Sequence, residues 1–159
     1  MTPSQYITPQ IIDLCKQHRS IVIIGGPCSG KTSIAKYISE QISYQYVSTD
    51  DYQNDVDLLL YNVSKYNNPL IIEGMLAYRL LRKGAQTQSF NPELIIKLEC
   101  NFETIKHLYK KYRDPSKLNY VNGMINGSNK IWNEYIDYLA YHFIKKPTYI
   151  EINTSLSYL

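Results

Sequence analysis

Ile21-Val22-Ile23-Ile24 runs directly into Gly25-Gly26-Pro27-Cys28-Ser29-Gly30-Lys31-Thr32, and the reading of these twelve residues decides the fold. Four apolar, mostly β-branched residues bounded by glycines predict a short strand covered on both faces, as at the centre of a parallel sheet. The next eight satisfy the spacing G-x-x-x-x-G-K-[ST] in full. Helical periodicity then begins at about Lys31 and continues to about Gln41. Strand, glycine-rich loop and helix in this order let backbone N–H groups and the helix N-terminus converge on a phosphate chain. The expected nucleotide-binding residues are therefore Gly25, Gly26, Pro27, Cys28, Ser29, Gly30, Lys31, Thr32 and Ser33. Lys31 would place a point charge on the β and γ oxygens, and Thr32 would offer its hydroxyl to Mg²⁺.

Outward from this loop, strands and helices alternate. Residues 46–49, 70–73, 94–99 and 148–152 are the further strand candidates. Apolar residues recur at three and four over 55–66, 75–83, 102–113 and 130–144, which predicts helices. Thr8-Pro9 opens another helix that ends near His18, Pro being favoured at the first helical position. Alternation of this kind implies βαβ units and an α/β sandwich around a mostly parallel five-stranded sheet. The stretch 114–129, with Pro115, Gly123, Gly127 and four asparagines, reads as irregular and as a short mobile lid.

Bulk composition fits one folded domain spanning 1–159. The chain is 44% hydrophobic and 19% charged, outside the range of disordered chains. Its net charge is only +3 and its basic residues are interspersed, without a run of five, so a nucleic-acid partner is not expected. The sixteen tyrosines accompany abundant Ile, Asn and Lys and read first as composition. Cys15, Cys28 and Cys100 form no C-x-x-C pair, which predicts reduced thiols in a cytoplasmic protein rather than a disulfide framework or a zinc site. No apolar stretch exceeds strand length, so neither a signal peptide nor a membrane span is expected. Oligomeric state is open.

Two more clusters fall where strands should end. Ser48-Thr49-Asp50-Asp51-Tyr52 follows the second strand, and parallel sheets bind ligands at such C-terminal edges. An aspartate there can face the γ-phosphate and accept the proton of an attacking hydroxyl. Pro69-Leu70-Ile71-Ile72-Glu73-Gly74 is an apolar strand ending in one carboxylate, placed to hold Mg²⁺ directly or through water.

In the order GGPCSGKT, STDDY, QNDV and LIIEG, the chain resembles the uridine kinase and nicotinamide riboside kinase family over roughly residues 21–141. That resemblance implies strand order 2-3-1-4-5 and transfer of the γ-phosphoryl group of ATP or GTP to a hydroxyl of a nucleoside-like acceptor. It makes Lys31, Asp50, Glu73 and Arg113 catalytic, with Asp50 rather than Asp51 as the base. Asp50, Tyr52 and Asp55 become acceptor-binding, Asp55 gripping the ribose diol, and Thr32 and Glu73 become the Mg²⁺ residues. Phe102 to Asp114 is similar to the family's basic lid helix, although Arg113 stands alone among lysines and tyrosines. The segment between Asp51 and Asp55 is shorter than in the family, which weakens the carry-over of a nucleoside substrate. A polynucleotide 5′-hydroxyl kinase shares the loop and the Asp-Asp-Tyr cluster and is the nearest alternative. A non-catalytic nucleotide-binding module is another. A switch-type GTPase is disfavoured, because Asn129-Lys130 lacks the Asp of an N-K-x-D motif.

Overall fold

Residues 2–157 are described by the computed structural model of the chain. Strand β1 (Ser20–Gly25) is central and pairs in parallel with β3 (Leu70–Glu73) and β4 (Leu94–Glu99). Outside these lie β2 (Gln45–Ser48), against β3, and β5 (Thr148–Asn153), against β4. The sheet is all parallel with order β2-β3-β1-β4-β5, the order expected from the sequence.

Helices cover both faces, which is why Ile21, Val22, Ile23 and Ile24 are all fully buried. Val22 and Ile24 face α3 (Val56–Ser64), α4 (Ala77–Gln86) and α6 (Val121–Tyr141), packing with Leu59, Leu80 and Tyr135. Ile21 and Ile23 face α1 (Pro9–Lys16) and α2 (Lys31–Ile42), packing with Cys15, Ile34 and Ile38. Helix α5 (Phe102–Tyr112) meets the start of α6 in a small separate cluster of Ile105, Tyr109 and Val121. Truncating one of the central isoleucines to Ala would cost about 2–5 kcal/mol, since the cavity cannot collapse between two covered faces. Among the described residues no helix is long and apolar enough to cross a membrane.

Two local expectations are corrected. The stretch 114–129 is not irregular: Pro115–Tyr120 forms 3-10 turns, and α6 starts at Val121 and runs for 21 residues. Val121, Ser128 and Tyr135, seven apart, are buried on one face of α6. A Cβ added at Gly123 or Gly127 would meet nothing within 4 Å, so both glycines sit on the open side as ordinary helical residues. Tertiary packing outweighs the roughly 1 kcal/mol that each glycine costs a helix. The second correction concerns β2, which stops at Ser48. Thr49–Tyr52 is a 3-10 turn begun by the Ser48 hydroxyl accepting from the Asp50 N–H. Asp50 and Asp51 are therefore neighbours on a tight helical turn and not alternating strand residues.

Candidate functional site

The loop between β1 and α2 is held from within. Cys28 (φ 57°) and Gly30 (φ 95°) are left-handed, which bends the chain back over the start of α2. Ser29 is fully buried and its hydroxyl donates to the Gly26 carbonyl at 2.7 Å. The Ser29 carbonyl accepts from the hydroxyl of Thr154, just past β5, at 2.8 Å. A Cβ at Gly25 would come within 2.6 Å of Ser29 Oγ and 3.0 Å of the Leu98 carbonyl, so glycine is needed here to let the loop pack on itself. Lys31 Nζ donates to the Gly26 carbonyl at 2.6 Å and lies 3.7 Å from Met75 Sδ. Burial pushes the Lys31 ammonium down to about 8, while the carboxylates of Glu73 and Asp50 oppose the shift.

Glu73, at the end of β3, is 1% exposed. One of its carboxylate oxygens accepts from Thr32 Oγ1 at 3.3 Å and from the Tyr46 hydroxyl at 2.5 Å. Burial and that bond to a carboxylate raise the Tyr46 phenol well above its ordinary value. The next residue, Gly74, has φ +131° with its Cα against the Thr49 hydroxyl, a place no Cβ fits. Thr49 Oγ1 is itself buried without a hydrogen-bond partner. The Glu-Gly pair of the sequence thus marks a carboxylate followed by a backbone turn that only glycine adopts.

A cleft of about 600 Å³ opens over these elements. Pro27, Cys28, Ser29, Gly30, Lys31, Thr32 and Ser33 with Asp50, Glu73 and Met75 line one wall, and Tyr109, Tyr112, Arg113 and Met124 the other. Lys31, Thr32, Asp50, Glu73 and Arg113, far apart in sequence, therefore share one cavity. Gly25 and Gly26 back onto a second space of about 220 Å³ between β4, α5 and α6. Asp51 does not line the cleft. Neither do Asp55, which caps α3 by accepting from the Leu58 N–H at 3.0 Å, and Tyr52, whose hydroxyl accepts from Asn62 Nδ2 at 2.9 Å. Tyr46, Met75, Tyr109, Tyr112, Met124 and Thr154 were not singled out from the sequence. Tyr46 had no visible signal, being one tyrosine among sixteen on a strand that predicts only burial. Thr154 lies 125 residues from the carbonyl it holds.

The site sits at the C-terminal edge of the sheet, and a glycine-rich loop between β1 and α2, beside a buried Lys and a carboxylate, defines a P-loop α/β protein. Neither the family models nor the curated protein sequences give a match to this chain. Among solved structures the fold is similar to that of the YorR protein from Bacillus subtilis in complex with phosphorylated GDP. The TM-score there is 0.52 at 13% identity, covering 84% of this chain and 85% of that one. A gluconokinase from Sinorhizobium meliloti 1021 gives a TM-score of 0.52 at 15% identity, covering 77% and 92%. A shikimate kinase from Bacteroides thetaiotaomicron gives 0.47 at 15%, covering 74% and 80%. At these identities the likeness to the first two structures establishes the shared fold alone.

Proposed function

We propose that this protein is a small-molecule kinase that transfers the γ-phosphoryl group of ATP or GTP to a hydroxyl of a nucleoside-like or related metabolite. The observation that carries the reading is the convergence of Lys31, Thr32, Asp50, Glu73 and Arg113 on a single cleft. Lys31 releases the Gly26 carbonyl to meet the β and γ oxygens. Asp50 accepts the proton as the acceptor oxygen bonds to the γ-phosphorus and the bond to the β–γ bridging oxygen breaks, leaving the nucleoside diphosphate. Of the lid expected at 114–129, residues 121–129 belong to the packed helix α6. Arg113, at the C-terminus of α5, approaches the equatorial oxygens when the end of α5 and the turns at 115–120 close over the cleft, excluding water that would otherwise take the phosphoryl group.

The Thr32 hydroxyl and the Glu73 carboxylate, 3.3 Å apart, suit a hard cation that completes its shell with phosphate oxygens and water. Mg²⁺ bound there supplies neutralisation of charge building on the leaving oxygens. The order of the four motifs supports placing the protein with uridine kinase and nicotinamide riboside kinase-like enzymes. The placement of Asp55 as a helix cap gives that finer assignment no added support. Three free cysteines accord with a reducing, cytoplasmic setting.

Incubation with γ-labelled ATP or GTP, Mg²⁺ and a panel of nucleosides and polyhydroxylated metabolites tests the reading. Label should appear on at least one small acceptor. Tight nucleotide binding with no acceptor labelled would leave a nucleotide-binding module and defeat the kinase reading.

A further inference from the structure

Net charge is distributed unevenly in this fold. Residues 102–120, which make up α5 and the 3-10 turns after it, contain Lys106, Lys110, Lys111, Arg113 and Lys117 against Glu103 and Asp114. Five bases and two acids give +3, the whole net charge of the chain; the other 140 residues carry twelve of each sign. All five bases but Lys106 are exposed. The ion pairs among the described residues are Arg82–Glu134, Lys83–Asp57 and Lys97–Glu99, and none involves this segment. Asp114 is engaged locally, its carboxylate accepting from the Ser116 N–H and hydroxyl.

A bound triphosphate does not account for this surface, because Arg113 is the one base of the segment that lines the cleft. Helix polarity accounts for part of it, since Lys110 and Lys111 lie in the last turn of α5. It does not account for Lys117, beyond that helix, or for Lys106 and Lys110, like charges four apart that destabilise it. Nor does it explain two large aromatics in water. Tyr112 is 68% exposed and Tyr120 69%, at either end of the basic turn. Lys111 Nζ lies 5.1 Å from the Tyr112 ring centroid, so cation and aromatic face share one patch.

We infer that the face of 102–120 running outward from the mouth of the cleft, where Tyr112 lines the wall, binds single-stranded nucleic acid, Lys110, Lys111 and Lys117 meeting phosphates and Tyr112 and Tyr120 each stacking a base. Charge alone would suit any polyanion; exposed aromatic faces between unpaired bases favour a chain of phosphates carrying flat rings. The surface borders the cleft at Tyr112, but binding here requires neither nucleotide nor Mg²⁺, so the inference does not rest on the phosphoryl-transfer reading.

The test is fluorescence anisotropy of a labelled twelve-residue oligothymidylate with the full chain, without nucleotide or Mg²⁺, over a salt series. Binding should weaken with salt, the logarithmic slope being about −0.7 for each phosphate held. Tyr120→Ala, outside the cleft, should weaken binding about fivefold or more while leaving the salt slope unchanged. Lys110→Gln with Lys111→Gln should flatten the slope by roughly 1.4. Thermal melting of each variant at the wild-type temperature shows that the fold is retained; a variant melting early is replaced by Tyr120→Leu or Lys117→Gln, expected to act in the same two ways. Absence of binding overturns the inference, as does a Tyr120→Ala protein that binds like wild type. Equal competition by duplex DNA, polyglutamate or anionic phospholipid vesicles also overturns it, by showing a surface that reads charge alone.

Discussion

The two walls of the cleft are built on opposite terms. The phosphate loop is buried and internally bonded: Ser29 is fully buried, Lys31 is 8% exposed, and Gly26, Ser29 and Glu73 each hold fixed partners. The facing wall, α5 and its following turns, rests on a small cluster of Ile105, Tyr109 and Val121 and exposes nearly every other residue from Lys110 to Tyr120. A phosphate cradle gains from being preformed, because reorganising dipoles during the reaction costs rate. A wall that must admit substrate and then exclude water gains from weak anchorage, so few buried contacts are expected there. Changes on the buried wall should therefore act on binding and chemistry with large effect, while changes that merely loosen a support should act modestly.

The largest effect is expected at Lys31. In Lys31→Ala the Gly26 carbonyl keeps its bond from Ser29, so no buried acceptor is orphaned and the fold should survive. Nucleotide affinity should fall by about 10² or more, since a buried charge facing phosphate is worth several kcal/mol, and turnover should become undetectable. Titration calorimetry and thermal melting check the two halves. Near-normal affinity would mean that the ammonium stays on Gly26 and never meets phosphate.

Next comes the contrast of two adjacent carboxylates. Asp50 lines the cleft and Asp51 does not, although both lie on one 3-10 turn. Asp50→Asn should lower kcat by roughly 10² to 10⁴, the usual cost of losing a positioned general base, whereas Asp51→Asn should stay within about threefold, as exposed substitutions do. Steady-state kinetics with one acceptor would decide the matter. A dead Asp51→Asn beside an active Asp50→Asn would reverse the assignment of the turn.

A smaller effect should appear with pH. Lys31 in the empty site titrates near 8 instead of 10.5, because burial disfavours its charged form. Bound triphosphate favours the ammonium and raises that value again. Below pH 8 the residue is charged before and after binding, so affinity should be flat there. Above 8 the empty protein has lost the proton that the complex retains, and affinity should fall by up to tenfold per pH unit. Calorimetry near pH 9 in buffers of different ionisation enthalpy should show proton uptake on binding, and Lys31→Arg should remove the trend.

The sheet and the cradle were legible because their signals are local and redundant. A buried β-branched run, a complete phosphate-loop spacing and Glu-Gly at a strand end each constrain backbone and chemistry together. Asp50 was legible as a residue but not in its geometry: it stands past the end of β2 on a 3-10 turn, and that turn sets which of the two carboxylates lines the cleft. Segment 114–129 was misread because glycine and asparagine propensities outweighed a seven-residue spacing of Val121, Ser128 and Tyr135 that shows only once α6 packs on the sheet. Tyr46 and Thr154 reach the site through contacts between distant segments, and nothing in their local sequence announces a partner.

Thr154 carries the last and smallest expectation, and it tests why the buried wall is stiff. Its hydroxyl, in a residue 1% exposed, donates to the Ser29 carbonyl, tying the phosphate loop to the chain leaving β5. The neighbouring Ser155 hydroxyl accepts from the Asn101 N–H at the start of α5, so this short segment braces both walls. Thr154→Val keeps volume and branching but leaves the Ser29 carbonyl without its donor inside the fold, a loss of about 1–3 kcal/mol. Because the loop's other bonds, from Ser29 and Lys31 to Gly26, persist, the cradle should loosen without dissolving. Nucleotide affinity should fall less than tenfold, far short of the Lys31→Ala loss, and Thr154→Ser should recover most of both stability and affinity. Denaturant titration and calorimetry on the three proteins separate the outcomes. If Thr154→Val matched wild type in both, the loop would be stiff through its own sequence alone, and the brace from β5 would have no part in preforming the site.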